Sequence, residues 1–241
     1  MLRIDKYLAD CGIGTRSEVK KYIKAKQITV NGDIVSKPEM KIDETSDEVC
    51  FKGKAISYEK YVYYLFHKPS GCVTAKQDNV HKTVMEYFPE EICAKNIAPV
   101  GRLDLDTEGL LLFTNDGPLA HHLLSPTHHI PKRYYAILDK EVPQNAFEQF
   151  KEGVDIGDDK LTLPAELSIL SVEVDEKGNE IYSAELTIHE GRFHQVKRMF
   201  EAVGCTVVYL KRLAMGSLVL DELKKGEYRK LTEEEVAMLQ K

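Results

Sequence analysis

Residues 101–117 read GRLDLDTEGLLLFTNDG, and three acids stand at alternate positions in them: Asp104, Asp106 and Glu108. Gly109 and an apolar run (110–113) follow. As a calcium loop counted from Asp104, Asp106 would be position 3, Glu108 position 5 and Gly109 position 6. Position 12 is then Asn115, where a bidentate Glu is required, and positions 7–11 are the strand-like Leu-Leu-Leu-Phe-Thr. The flanking helices are missing as well, so no metal is expected. As a glycosidase pair, Asp104 and Asp106 would share one side of an extended chain, roughly 6–7 Å apart at ~3.3 Å per residue. That separation suits the chemistry, but no aromatic-rich sugar cleft is suggested and the chain has no Trp. As a plain turn, Asp106-Thr107-Glu108-Gly109 would let an Asp side chain bond the local backbone. In that case Asp106 and Glu108 are turn and surface groups. The run LLLF reads as a buried strand that holds the loop against the core.

Around this stretch the pattern is one of strands separated by short helices and turns. YVYYLFHKPSG (61–71) reads as a strand ending in a Pro-Gly turn, and HKTVMEYFP (81–89) as a short helix. GPLAHHLLS (117–125) and QNAFEQFKEGV (144–154) have helical spacing. KRYYAIL (132–138), LTLPAELSILSVEV (161–174) and EIYSAELTIHEG (180–191) read as strands. RFHQVKRMFEAVG (192–204) is an amphipathic helix with Phe193, Val196, Phe200 and Val203 on its apolar stripe and Gly204 as C-cap. CTVVYLKRLAMGSLVL (205–220) is again strand-like. The fold class is α+β, with a mixed, largely antiparallel sheet.

The N-terminus has a different texture. Ile4, Tyr7 and Leu8 lie at helical spacing, and Thr15-Arg16-Ser17-Glu18 is a capping box opening a second helix. ITVNGDIV then surrounds Asn31-Gly32, a dipeptide that favours a two-residue hairpin turn. GKAISYEK (53–60) reads as a linker, dividing the chain into a domain at 1–58, a link at 58–61 and a second domain at 62–241.

The chain has 241 residues and a formal net charge of −6, which at first argues against a nucleic-acid partner. The distribution points the other way. Residues 1–32 carry seven basic side chains against three acidic, and residues 192–212 five against one. Local basic faces on an acidic chain suit phosphate contact. Five scattered cysteines with no C-x-x-C exclude a zinc ribbon or a thioredoxin-like site and read as reduced, half-buried small hydrophobes. No signal-peptide h-region and no membrane-length apolar window occur, so a cytoplasmic location without membrane contact is expected.

Two stretches resemble known families. RIDKYLADCGIGTRSEVKKYIKAKQITVNGDIV closely resembles the S4 RNA-binding module, through its R-x-D-K-x-L start, basic second helix and V-N-G turn. The resemblance implies RNA contacts at Arg3, Arg16, Ser17, Lys20 and Asn31. GRLDLDTEGLLLFTNDG fits every fixed position of the catalytic motif of the RsuA/RluB/E/F-type pseudouridine synthases, G-R-L-D-x-x-T-x-G-L-L-L-x-T-x-D-G. Lys132 and Tyr134 match its K-x-Y strand, with Arg133 where many relatives have a small residue. EGRFHQVKRMFEAVG resembles its E-G-R-x-H-Q-V-K-R-M motif.

The family implies isomerisation of a uridine within RNA to its C-glycoside, with no cofactor and with the target base flipped out. By the same resemblance Asp104 is the nucleophile, Lys197 its ionic partner and Tyr134 a stacking residue on the uracil. Arg102 anchors the flipped nucleotide or stabilises the loop. Arg192, Arg198 and Arg212 hold flanking phosphates, while His194 and the pair His128-His129 line the RNA path. Whether Asp104 attacks C1′, attacks C6 or promotes elimination stays open. The segments SPTHHIPKRYY, KEGVDIGD and TVVYLKRLAMGSL most resemble the small-subunit rRNA branch of the family. Large-subunit rRNA is the alternative, and a non-catalytic rRNA-binding or assembly factor a further one. The implied partner is ribosomal RNA or a pre-ribosomal particle, with the protein a monomer.

Overall fold

The computed structural model describes residues 1–240 apart from 171, 175, 177 and 179. Position 171, inside a stretch expected to be one strand, and position 241, the expected domain end, lie outside the described residues. The chain divides into two units, the first of Met1–Val62 with Phe88–Ala98 and the second of Tyr63–Tyr87 with the chain from Pro99 onward. The division is therefore not a single cut at 58–61. The segment Phe88–Ala98 belongs with the first unit, where Lys95 meets Glu59 at 3.2 Å.

In the first unit, helix Ile4–Asp10 buries Ile4, Tyr7 and Leu8, and helix Arg16–Lys24 buries Val19 and Ile23. The capping box at Thr15 is present: Glu18 N donates to the Thr15 hydroxyl, and Thr15 N donates to the Glu18 carboxylate at 2.7 Å. Asn31 and Gly32, at φ 52° and 88°, make the two-residue turn between strands Ile28–Val30 and Asp33–Ile34. A second tight turn, Lys52-Gly53 at φ 51° and 78°, joins Val49–Phe51 to Lys54–Ile56. The segment expected as a linker thus begins as the edge strand of a four-stranded sheet. Tyr58 beyond it still belongs to the unit, stacked on Tyr7 with ring centroids 4.9 Å apart.

In the second unit the sheet runs, edge to edge, Glu166–Ile169, Glu180–Ile188, Lys132–Leu138, Val207–Met215, Glu108–Thr114, Tyr63–Lys68 and Tyr228–Lys230. Along this path all neighbours are antiparallel except Val207–Met215 beside Glu108–Thr114, where Lys211 and Arg212 face Glu108 and Gly109 in parallel register. Gly109 is required there. Its φ is +112°, and a Cβ would stand 2.2 Å from the Arg212 carbonyl oxygen.

Every residue of Glu108–Thr114 is buried, because the strand is covered on both faces. Leu110 and Leu112 join a core with Leu65, Leu119 and Met215, while Phe113 meets Phe66 edge-on at 5.9 Å. The amphipathic helix spans Gln195–Ala202 and docks through Val196, Met199 and Phe200, the last edge-on to Phe150 at 5.6 Å. Gly204 follows it at φ +82°, as its sequence position implies. Phe193 is not part of that stripe. The chain turns left-handed at His194 (φ 48°) before the helix begins, and Phe193 is left 73% exposed.

Candidate active site

The acidic loop enters the sheet where the parallel pair forms, and a segment from the neighbouring strand anchors it. Lys68 ends the strand Tyr63–Lys68 and is fully buried. Its ammonium donates to the carbonyl oxygens of Asp104 (2.9 Å), Thr107 (2.9 Å) and Pro69 (3.1 Å). Burial pushes the Lys68 ammonium below its ordinary value, and the nearby acids oppose that shift. Gly71 N donates to the Leu105 carbonyl at 2.9 Å. Thr74 brackets Leu103, its hydroxyl donating to the Leu103 oxygen at 2.8 Å and accepting from Leu103 N at 3.1 Å. Thr107 N closes the turn on the Asp104 carbonyl at 3.2 Å. The backbone of 103–107 is therefore held by Lys68, Gly71 and Thr74, none of which the sequence singled out. The available signal was a lysine at the end of an apolar strand run, directly before the Pro-Gly turn.

With its backbone fixed, Asp104 presents a carboxylate whose side chain is 30% exposed. Lys197 Nζ stands 3.4 Å from one oxygen and His194 Nε2 3.5 Å from the other. Lys197 makes shorter bonds to Asp106, at 2.6 and 2.8 Å, so it bridges both acids. Burial raises the Asp106 carboxyl, but the Lys197 hydrogen bond and charge outweigh it and hold the group below the usual range. Glu108, expected at the surface, is 6% exposed. It enters the sheet beside Val207–Met215, where it accepts from Tyr209 Oη at 2.6 Å and pairs with Lys225 at 2.8 Å. Burial raises its carboxyl, yet Lys225 and Tyr209 bring the balance below the ordinary value.

A cleft of about 900 Å³ opens over Asp104. Arg102, Tyr134, Lys132, His194, Lys197 and Arg212 are among its lining residues. Arg102 is exposed, and Tyr134 is 8% exposed on the strand Lys132–Leu138. Phe193 stacks nearly parallel on His194, with ring centroids 3.8 Å apart.

Other expected RNA contacts are differently placed. Arg192 is committed to the chain itself: Nη1 and Nη2 donate to the carbonyls of Lys160 and Leu161 at 2.6 Å, and Nε to Glu190 at 2.9 Å. Arg198 donates to the Phe193 carbonyl at 3.0 Å and also to the Ile156 carbonyl, and pairs with Asp158. Both guanidinium groups clamp the 156–161 loop, which occupies the donors expected to hold phosphate. Arg212 is 3% exposed, with Nε donating to the Leu110 carbonyl at 2.8 Å, so it lies inside the cleft wall instead of on an outer face. His128 packs at a tilt against His122, with ring centroids 3.9 Å apart.

In the first unit Arg16, Ser17 and Lys20 are exposed on one helix. Arg3 instead forks onto Asp5 at 2.8 and 3.1 Å. Asn31 uses its side chain to hold Asp47 and the Glu48 amide, both at 2.9 Å. Among the described residues no cluster of His, Cys, Asp or Glu is arranged to hold a metal.

Residues 62–202 match the family model described as RNA pseudouridylate synthase, and residues 2–49 match the S4 domain. The chain belongs to the RNA pseudouridylate synthase family. The synthase is 41% identical over 239 residues to an uncharacterized RNA pseudouridine synthase of Bacillus subtilis, covering 99% of this chain and 98% of the relative. It is 39% identical over 243 residues to the ribosomal small subunit pseudouridine synthase A of Haemophilus influenzae, covering all of both chains. The Escherichia coli protein of that name is 39% identical over 239 residues, covering 98% of the synthase and 99% of the relative. A solved pseudouridylate synthase superposes with a TM-score of 0.67 at 39% identity, covering 99% of the synthase and all of that chain.

Proposed function

We propose that this synthase isomerises one uridine of small-subunit ribosomal RNA to pseudouridine, with Asp104 as the nucleophile. The observation that carries the reading is the anchored loop: a carboxylate on a backbone tied down by a buried lysine, between Lys197 and His194, in a cleft with a buried tyrosine. A nucleophilic carboxylate has to be ionised and held still, and a cation at 3.4 Å serves both needs. Tyr134 offers an aromatic face to a uracil turned out of the RNA, and the exposed Phe193–His194 stack offers a second surface to a neighbouring base. Arg102 is the exposed cation next to the nucleophile and suits the backbone of the target nucleotide. The first unit supplies the wider grip through Arg16, Ser17 and Lys20. No step requires a metal or an organic cofactor.

Relatives named as small-subunit enzymes over their full length favour that RNA over the large-subunit alternative. A monomer acting on ribosomal RNA or on a pre-ribosomal particle in the cytoplasm completes the reading. Mapping pseudouridine in ribosomal RNA from cells lacking the gene tests it. One small-subunit uridine should lose its modification and regain it with the wild-type gene. A change confined to large-subunit RNA moves the target to that subunit, and an unchanged map overturns the reading.

A further inference from the structure

Lys132 and Arg212 are buried cations on adjacent strands of the cleft wall, at 8% and 3% exposure. Neither forms an ion pair among the described residues. Lys132 donates to the Ile130 carbonyl at 2.7 Å, Arg212 Nε to the Leu110 carbonyl, and the buried Arg212 Nη2 has no hydrogen-bond partner among the described residues. Burial, with the Arg212 charge added, pushes the Lys132 ammonium down to about 8. Two neighbouring cations without a carboxylate are costly to bury, and a fold that keeps them at a reaction cleft invites an anionic ligand. Tyr134 stands directly opposite Arg212 across the strand pair, and Lys132 is two residues from it on the same strand.

We infer that Lys132 and Arg212 form a cationic seat for the uracil ring itself, stabilising the negative charge the ring acquires during isomerisation. The inference rests on the reading above. When N1–C1′ breaks, the bond's electron pair stays on the pyrimidine and spreads from N1 over O2, C5 and O4. This holds whether Asp104 bonds C1′ or takes part in elimination, and attack at C6 likewise places charge on the ring. The charge is discharged when C5 bonds C1′; the C5 proton then leaves and N1 takes one up, so the product is an isomer. Preorganised donors at the edge of a ring held against Tyr134 stabilise that charge without solvent reorganisation. A backbone phosphate suits the site less well, since it remains hydrated and is better served at the cleft rim by exposed Arg102.

Single-turnover kinetics with enzyme in saturating excess over RNA test this on wild type, Lys132→Met, Lys132→Arg and Arg212→Lys, each checked for an unchanged thermal transition. Lys132→Met should lose on the order of 10²-fold in rate with RNA affinity within about twofold, and Lys132→Arg should recover part of the rate. RNA carrying 5-fluorouridine at the target is the decisive probe, because fluorine stabilises the ring anion; since its C5 has no proton to lose, the rate on both RNAs is read as loss of the target's intact N-glycoside in nuclease digests. The rate ratio of wild type to Lys132→Met should shrink about tenfold on it, and Arg212→Lys should show the same trend. An equal ratio on both RNAs overturns the inference, as does weakened affinity with an unchanged saturated rate, the signature of a phosphate contact. If wild type makes no pseudouridine, the underlying reading fails; if wild type is active and Lys132→Met matches it, only this inference does.

Discussion

Two basic segments of similar charge have opposite fates in this protein. On the helix Arg16–Lys24 the side chains Arg16, Lys20, Lys21 and Lys24 are exposed, and none is in an ion pair among the described residues. On the segment 192–212 three of the five cations are consumed, Arg192 and Arg198 by carbonyls and acids of their own unit and Lys197 by two aspartates, while Arg212 is withdrawn into the cleft wall. Charge density in a sequence says that cations are present. Whether they are available to an RNA depends on how many acceptors the fold places beside them.

The sharpest way to break this contrast is to remove a consumed cation that holds the acidic loop. Lys68→Met leaves the carbonyls of Asp104 and Thr107 without their donor, and the loop should shift by a fraction of an ångström or more. Turnover should fall by about 10²-fold with RNA affinity nearly unchanged, as single-turnover and binding assays on the same preparation would show. Loss of affinity with normal saturated turnover would mean that Lys68 does not position the loop.

Next in size are the two clamps. Arg192→Ala and Arg198→Ala should each cost about 2 kcal/mol of stability, since each removes charged hydrogen bonds to backbone carbonyls. Thermal melts read that loss, and the salt dependence of RNA binding should stay as in wild type. Changing Lys20, Lys21 and Lys24 together to Ala should do the reverse. The melting temperature stays put, while the slope of log affinity against log salt falls by roughly one unit for each phosphate that is no longer neutralised. If the two sets of variants exchange behaviour, the distinction between free and consumed cations is wrong.

The smallest effect concerns Glu108. Its folded-state value lies below the ordinary one, so its contribution is present above the usual glutamate range and lost as pH falls through the folded value. Glu108→Gln should therefore be less stable than wild type near neutrality, on the order of 1 kcal/mol, and the two should converge in acid. Urea titrations across pH measure this, and a gap that widens on acidification contradicts the assignment.

Features with a local cause could be read from the sequence. The capping box at Thr15, the Asn31-Gly32 turn, the buried run LLLF and the Gly204 helix end each depend on residues a few positions apart. Asp104, Lys197 and Tyr134, far apart in the chain, line one cleft. Features created by distant packing could not be read. Glu108 is buried because Tyr209 and Lys225 reach it from far along the chain. Phe193 leaves the helical stripe because His194 is left-handed, and Lys68 acts on a loop 36 residues away. Gly109 looked like a turn glycine, whereas its absent side chain makes room for the Arg212 backbone.

The central claim is that the Asp104 carboxylate performs the isomerisation while the remainder of the site holds it and the base in place. Asp104→Asn keeps the size of the side chain and removes its charge. Assayed on small-subunit ribosomal RNA beside wild type, this variant should bind with similar affinity and form no detectable pseudouridine, even in single turnovers with excess enzyme. Turnover within tenfold of wild type at matched binding would contradict the account.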